Sequence, residues 1–306
     1  MTSSGETSRR VRQWHPLFVH FFRPVVYNYY EVSTNMPVGD VPREADVVVL
    51  RRTTPDPVPF HGVWSQLTQW NILEFKGPTV SARLSHLDQL VEVGLGINRS
   101  LNTAQRRQRL AAMPPSEVSF WYLVSHLGRR FLRQATQRLG AIETLAPGMW
   151  QSQVLAHPLV LVSYADLPID AESLPLHMLV QRSGSATALA RVVAARPDLW
   201  EVYIPWLLGL QPQAWQEVQD MARNRSRMPT IDLAPIIEFM GFDQFIEQVG
   251  LERVIEQVGL ERVIEQVGLE RVIEQVGLER VIEQVGLERF VASLTPAQRQ
   301  ELKQRL

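Results

Sequence analysis

The run Val47, Val48, Val49, Leu50 is apolar at every position and too short for a helix, which marks a strand buried on both faces of its sheet. Such a strand needs helices packed above and below it, so this run points to a layered α/β fold. The flanking sequence repeats the theme. Residues 44–52 (EADVVVLRR) contain the run, residues 31–38 before it are rich in β-branched side chains, and Gly39 with Asp40 supplies a turn between the two. The segment 53–62, TTPDPVPFHG, is too proline-rich for regular structure, and residues 70–76 (WNILEFK) then read as a further strand closed by Gly77 and Pro78. Helical patterns cover residues 14–30, where Pro24 kinks or divides the helix, residues 80–93, and the arginine-rich stretch 128–139. Strands are expected at 118–126 and at 153–164, the latter interrupted by Pro158. Helix, strand, strand, strand, helix, strand, helix, strand is the order of an α/β domain with a mixed sheet flanked by helices, expected to fill residues 1–185.

From Ala186 the pattern becomes wholly helical, first as a connector over residues 186–244 and then as a tandem repeat over residues 245–306. The nine-residue unit [V/F]IEQVGLER occurs five times without a gap between Phe245 and Arg289, and Thr295 with Pro296 then opens a terminal helix. Nine residues make two and a half helical turns, so one continuous helix would show its apolar cluster on opposite sides in successive units. The alternative is that Gly250, Gly259, Gly268, Gly277 and Gly286 each end a two-turn helix, and the short helices stack as a solenoid. Glu and Arg at fixed places give each unit a charged outer face. A solubilising spacer of variable copy number is the plainer reading of the same repeat.

Composition narrows the chemistry. The chain of 306 residues has no cysteine, so thiolate metal sites and disulfides are excluded and any metal is held by oxygen donors or histidine. No apolar stretch approaches the roughly 20 residues that span a bilayer, and the start MTSSGETSRRVRQW lacks the apolar core of a secretory signal, so a cytoplasmic protein with no membrane partner is expected. The net charge of −1 is uneven: from Ile231 onward there are 14 acidic and 8 basic residues, which leaves 23 basic against 18 acidic before it. A mildly basic first part is compatible with a phosphate backbone. Arginine supplies all the basic residues except Lys76 and Lys303.

Hydrolysis of a phosphodiester by a hard metal needs carboxylates converging on one ion and a cation beside the attacking water. Strand alternation puts Glu74 and Lys76 on one face and Leu73 and Phe75 on the other. Asp46, directly before the Val47 run, is placed to bring a second carboxylate from a neighbouring strand. Lysine at position 76, in a chain that otherwise uses arginine, suits a role needing a compact ammonium. Asp56, in the dipeptide Pro55-Asp56, is a rival acid, but it sits between prolines in a loop. His61 in the same loop could approach a metal, whereas His15, His20, His86, His126, His157 and His177 show no ligand spacing and read as structural.

Arg43, Glu44, Ala45 and Asp46 ahead of the apolar strand, with Glu74, Phe75 and Lys76 in the next, resemble the signature of the PD-(D/E)XK nuclease superfamily. The arrangement "PREADVVVL … NILEFKGP" followed by short C-terminal repeats is similar to the Rpn/YhgA-like recombination-promoting, transposase-like nucleases. The resemblance covers about residues 14–165 and the repeat habit of the tail. It implies a PD-(D/E)XK nuclease-like core, Asp46 and Glu74 as ligands of Mg²⁺ or Mn²⁺, and Lys76 as the catalytic lysine. Gln89 would match a glutamine often found on the following helix, and Glu31 is a weaker match to an extra acid near the first strand. The activity implied is a metal-dependent DNA endonuclease in recombination, mobile-element biology or defence against foreign DNA. A catalytically silent DNA- or protein-binding module that assembles through its tail is the rival expectation.

Arg129, Arg130, Arg133 and Arg138 on the helix after residue 126 could track a DNA backbone, or could form a solvated face. Homo-oligomers are expected through the repeat tail or the connector. In a solenoid each unit adds its own folding term and one interface. Light scattering on chains with zero, two and five units should therefore show association changing by steps, while a spacer leaves the mass per protomer count unchanged.

Overall fold

The computed structural model describes residues 14–34, 47–56, 58–180, 184–222, 234–241, 245–246, 249–250 and 254. Asp46, Arg43 to Ala45, the end of the strand expected at 31–38, most of the repeat at 245–289 and the terminal helix at Thr295 lie outside them. The chain divides into two compact units, Met1–Val192 and Val193–Leu306.

The first unit is α/β, with a mixed sheet of seven strands among the described residues. Its strands are β1 (Tyr30–Thr34), β2 (Val48–Arg52), β3 (Trp70–Phe75), β4 (Val118–Val124), β5 (Glu143–Ala146), β6 (Met149–Val154) and β7 (His157–Ser163). They lie in the order β1-β2-β3-β4-β7-β6-β5. The central strands β3, β4 and β7 run parallel, and the flanking pairs are antiparallel. Burial explains the arrangement. Every residue of β4 is buried, as expected for a parallel strand covered on both faces.

Helix α1 (Trp14–Val26) covers one face with an aromatic layer. Phe18 stacks on Phe75 with centroids 4.6 Å apart, Phe22 meets Trp64 at 4.4 Å, and Trp64 meets Trp121 at 5.8 Å. Helices α2 (Leu84–Arg107) and α3 (Arg129–Leu139) cover the other face. Leu87, Leu90, Gly94 and Ile97 form the buried stripe of α2, and they pack on Ile72, Phe120, Tyr122 and Val49. A polar clamp ties the start of β3 to β4: Asn71 Oδ1 accepts from Ser119 Oγ at 2.7 Å and from the Thr68 amide at 2.7 Å. Trp121 Nε1 donates to Ser119 Oγ at 2.8 Å, so the buried Asn71 and Ser119 are both satisfied.

The strand expected at 153–164 with a break at Pro158 is the end of β6 followed by β7, a hairpin that pairs Val154 with His157; the break falls at Leu155 and Ala156, and Pro158 lies inside β7. Its turn residues Leu155 and Ala156 have φ of 49° and 68°, a left-handed pair filled without the usual Gly or Asn. The helix expected at 80–93 starts later, at Leu84, and continues to Arg107, because Ile97 and the partly buried Leu101 extend its apolar stripe past the polar residues. The helix expected at 14–30 ends at Val26, and Tyr30 already belongs to β1.

A short helix α4 (Leu174–His177) closes the first unit against α1. Helix α5 (Ala186–Ala194) spans the division between units. In the second unit α6 (Trp200–Leu210) is flanked by α7 (Pro212–Ala222) and α8 (Ala234–Met240). No helix among the described residues is long and apolar enough to cross a membrane.

Gly94 sets how closely α2 approaches the sheet, since a Cβ there would lie 2.5 Å from Phe120 Cε1. Gly94→Ala should cost about 1–3 kcal/mol in urea unfolding, the usual range for overpacking a core. Gly128→Ala, where nothing lies within 4 Å, should cost clearly less.

Candidate active site

Strand β3 carries Glu74 on the face covered by α2, and the parallel register sets it opposite Tyr122 of β4. Glu74 is buried, with only 3% of its surface exposed. A carboxylate so placed needs compensation, and Lys76 forms an ion pair with it. The lysine side chain retains 20% exposure against 4% for the glutamate, so the ammonium has access to water that the carboxylate lacks.

Lys76 is the first residue beyond β3, and its main chain is held on both sides. Its amide donates to Leu123 O at 2.8 Å, and its carbonyl accepts from the Tyr164 hydroxyl at 2.9 Å. Gly77 then passes against α1, where a Cβ would meet Trp14 Cδ1 at 2.9 Å. The ammonium therefore starts from a fixed backbone, and only its own rotamers are free.

Tyr122 is fully buried, and its hydroxyl accepts from the Arg83 amide at 3.3 Å and lies 3.2 Å from His86 Nδ1. Burial chiefly pushes this phenol up to about 12; the Arg83 amide opposes the shift and the charge of Glu74 adds to it. His86 is lowered, first by burial and then by the charges of Lys76 and Arg83, which keeps its ring neutral at neutral pH. A buried carboxylate, an ammonium, a phenol and a neutral imidazole thus adjoin the carboxyl ends of β3 and β4. In open α/β sheets that is where ligand crevices form. An open cavity of about 570 Å³ lies next to these groups rather than among them, between the loop at residues 78–84 and the start of α3, with Arg83 in its lining.

Several expected residues lie elsewhere. Glu31 pairs with Arg51 at 2.7 Å, level with Trp70, four residues and roughly 13 Å along the sheet from Glu74 at strand spacing. Asp56 follows the carboxyl end of β2, which the antiparallel register also puts at the Trp70 end of β3. Its carboxylate accepts from Thr54 Oγ1 at 3.1 Å, in an exposed turn. His61 occupies the same loop, with its amide donating to Glu172 Oε1 at 2.8 Å. Gln89 is exposed on α2, next to the buried Leu90. Arg129, Arg130 and Arg133 are exposed on α3, where Arg130 lines the cavity. Arg138 pairs with Asp88 at 2.8 Å. Asp46 lies outside the described residues, and among those described no three His, Asp or Glu side chains converge in a metal-binding group.

Tyr122, His86 and Arg83 were not expected at this site. The available signal was a tyrosine inside an apolar run, since a buried hydroxyl needs a partner. Which partner it finds depends on the pairing of β3 with β4 and on the seating of α2. Comparison with protein-family models, curated proteins and solved structures finds no match.

The unequal exposure of the ion pair predicts unequal costs. Lys76→Ala removes the ammonium that pairs with the buried Glu74 and should destabilise by about 2–4 kcal/mol in urea unfolding. Glu74→Gln leaves an ammonium that can turn to solvent, and should cost about 1 kcal/mol.

Proposed function

We propose that the first unit is a Mg²⁺- or Mn²⁺-dependent DNA endonuclease of the PD-(D/E)XK type. The observation that carries the reading is the buried Glu74 paired with Lys76 at the carboxyl end of a central parallel strand, beside a cavity. The motif resemblance alone could describe a surface ion pair. Burial of the carboxylate is costly, and structural need alone does not explain it, because apolar replacements of buried pairs are often neutral or stabilising.

The donor chemistry fits a hard divalent ion, since an ionised carboxylate is the ligand such ions prefer and no thiolate competes. Glu74 supplies one carboxylate, and the reading requires Asp46 for the second. Strand β2 enters the sheet at the Glu74 end of β3, which is the end this requires. Val47 and Val49 already pack in the α2-side layer with Ile72, so the chain must depart from strand alternation before Val47 for Asp46 to share Glu74's face. When bound, the ion would polarise the phosphate and acidify a water. Lys76 pairs with the carboxylate and would offer a donor to that water. Tyr122 and the neutral His86 are polar groups that can orient solvent or a phosphate oxygen beside Glu74.

A binding module without catalysis is the second reading. It is favoured by the contact of Lys76 with Glu74, which compensates the carboxylate without any ion. Plasmid DNA incubated with Mg²⁺ or Mn²⁺ separates the two. The nuclease reading expects nicking or linearisation by the wild-type protein, loss of at least about 10²-fold in Glu74→Gln and Asp46→Ala, and near-normal activity in Asp56→Ala. DNA retained on a filter without cleavage under any metal would instead favour the binding module.

A further inference from the structure

Every charged side chain among the described residues that line the cavity is positive. Arg83 comes from the start of α2 and Arg130 from the first turn of α3, so two separate elements bring guanidinium groups to one concavity of about 570 Å³. That volume falls within the range of small-ligand sites, and it suits one nucleotide rather than a wider assembly. Hydroxyls of Thr79, Ser81 and Ser125 and the amide of Gln134 add hydrogen-bonding capacity, while Val80 and Leu84 give the wall an apolar part. The nearby acids are already engaged. Asp166 accepts from Ser163 Oγ and lies 3.0 Å from His126 Nδ1, Asp88 pairs with Arg138, and Glu74 pairs with Lys76. Neither helix start has a side-chain cap, so their leading amides add to the positive field, although the arginines and the cavity carry the argument.

We infer that this cavity is a nucleotide subsite that takes one unpaired nucleotide of a DNA strand, with its phosphate on Arg83 and Arg130 and its base against the Val80 and Leu84 wall. The inference rests on the nuclease reading for its choice of DNA, because the cavity opens two residues after Lys76. It adds that the strand is unpaired there. A duplex keeps its bases stacked and paired, whereas an unpaired nucleotide can lay its base against an apolar wall.

The test is fluorescence anisotropy in EDTA, with a labelled short single-stranded oligodeoxynucleotide and a duplex of the same length. Wild-type protein should prefer the single strand. Arg83→Gln and Arg130→Gln should each weaken binding about tenfold, and Arg→Lys at either position should restore part of it. Arg51→Gln, at the Trp70 end of the sheet and outside the cavity, should change binding less than about twofold. Equal loss in Arg51→Gln would mean a general surface charge effect and would overturn the subsite, as would unchanged binding in the two cavity variants. Preference for the duplex would overturn the unpaired strand. Competition by dAMP at concentrations that match the oligonucleotide, nucleotide for nucleotide, would replace the strand with a free nucleotide and overturn that assignment too. The two proposals fail separately. Normal plasmid cleavage by Glu74→Gln would end the nuclease reading even if the arginine variants lose binding, whereas lost cleavage beside unchanged oligonucleotide binding in the arginine variants would end only the subsite.

Discussion

A carboxylate buried near the end of a central strand has to be compensated where it stands, and Glu74 organises its surroundings through that need. The strand supplies Lys76 two residues on, on the same face. The lysine is useful only if its backbone is fixed, which the Leu123 carbonyl and the Tyr164 hydroxyl achieve from β4 and from the residue after β7. The same parallel pairing puts Tyr122 beside Glu74 and leaves its hydroxyl dependent on Arg83 and His86 at the start of α2. One buried charge is thereby tied to three strands and a helix. Gly94 lets that helix pack closely against Phe120 of β4.

Sheet polarity decides which acids can join the site. Strand β2 runs against β3, so its leading end lies beside Glu74 and its trailing end beside Trp70. Glu31 and Asp56 lie toward the Trp70 end, and the amide of His61 is held by Glu172. The proline-flanked Asp56 follows the end of β2 that lies beside Trp70, at the opposite end of β3 from Glu74.

Much of the fold could be read from residues. The apolar run at residues 47–50, the WNILEF strand and the fully buried β4 announced themselves by hydrophobicity and flanking turns, and each forms where expected. The hairpin between β6 and β7 was illegible because Leu155 and Ala156 occupy left-handed conformations that the surrounding pairing imposes. The far half of α2 was hidden by polar residues whose register depends on Ile97 reaching the core. At the site, Glu74 and Lys76 were visible because alternation is local, whereas Tyr122, Arg83 and His86 meet only through contacts distant in sequence. Asp46, the residue on which the metal reading most depends, lies outside the described residues.

The placement of Tyr164 also bears on how the chain acquires this site. Its hydroxyl, which holds the carbonyl of Lys76, is separated from that lysine by 88 positions, and β4 and the β6–β7 hairpin must form in between. Long-range pairings of this kind pay their loop-closure entropy before they gain stability, which slows folding. A nascent chain that has emerged only as far as β3 keeps Glu74 in water, where an unpaired carboxylate is at no disadvantage. The elements that cover Glu74, α2 and β4, are both synthesised before Tyr164, so the last hold on the lysine backbone comes from the residue furthest along the chain.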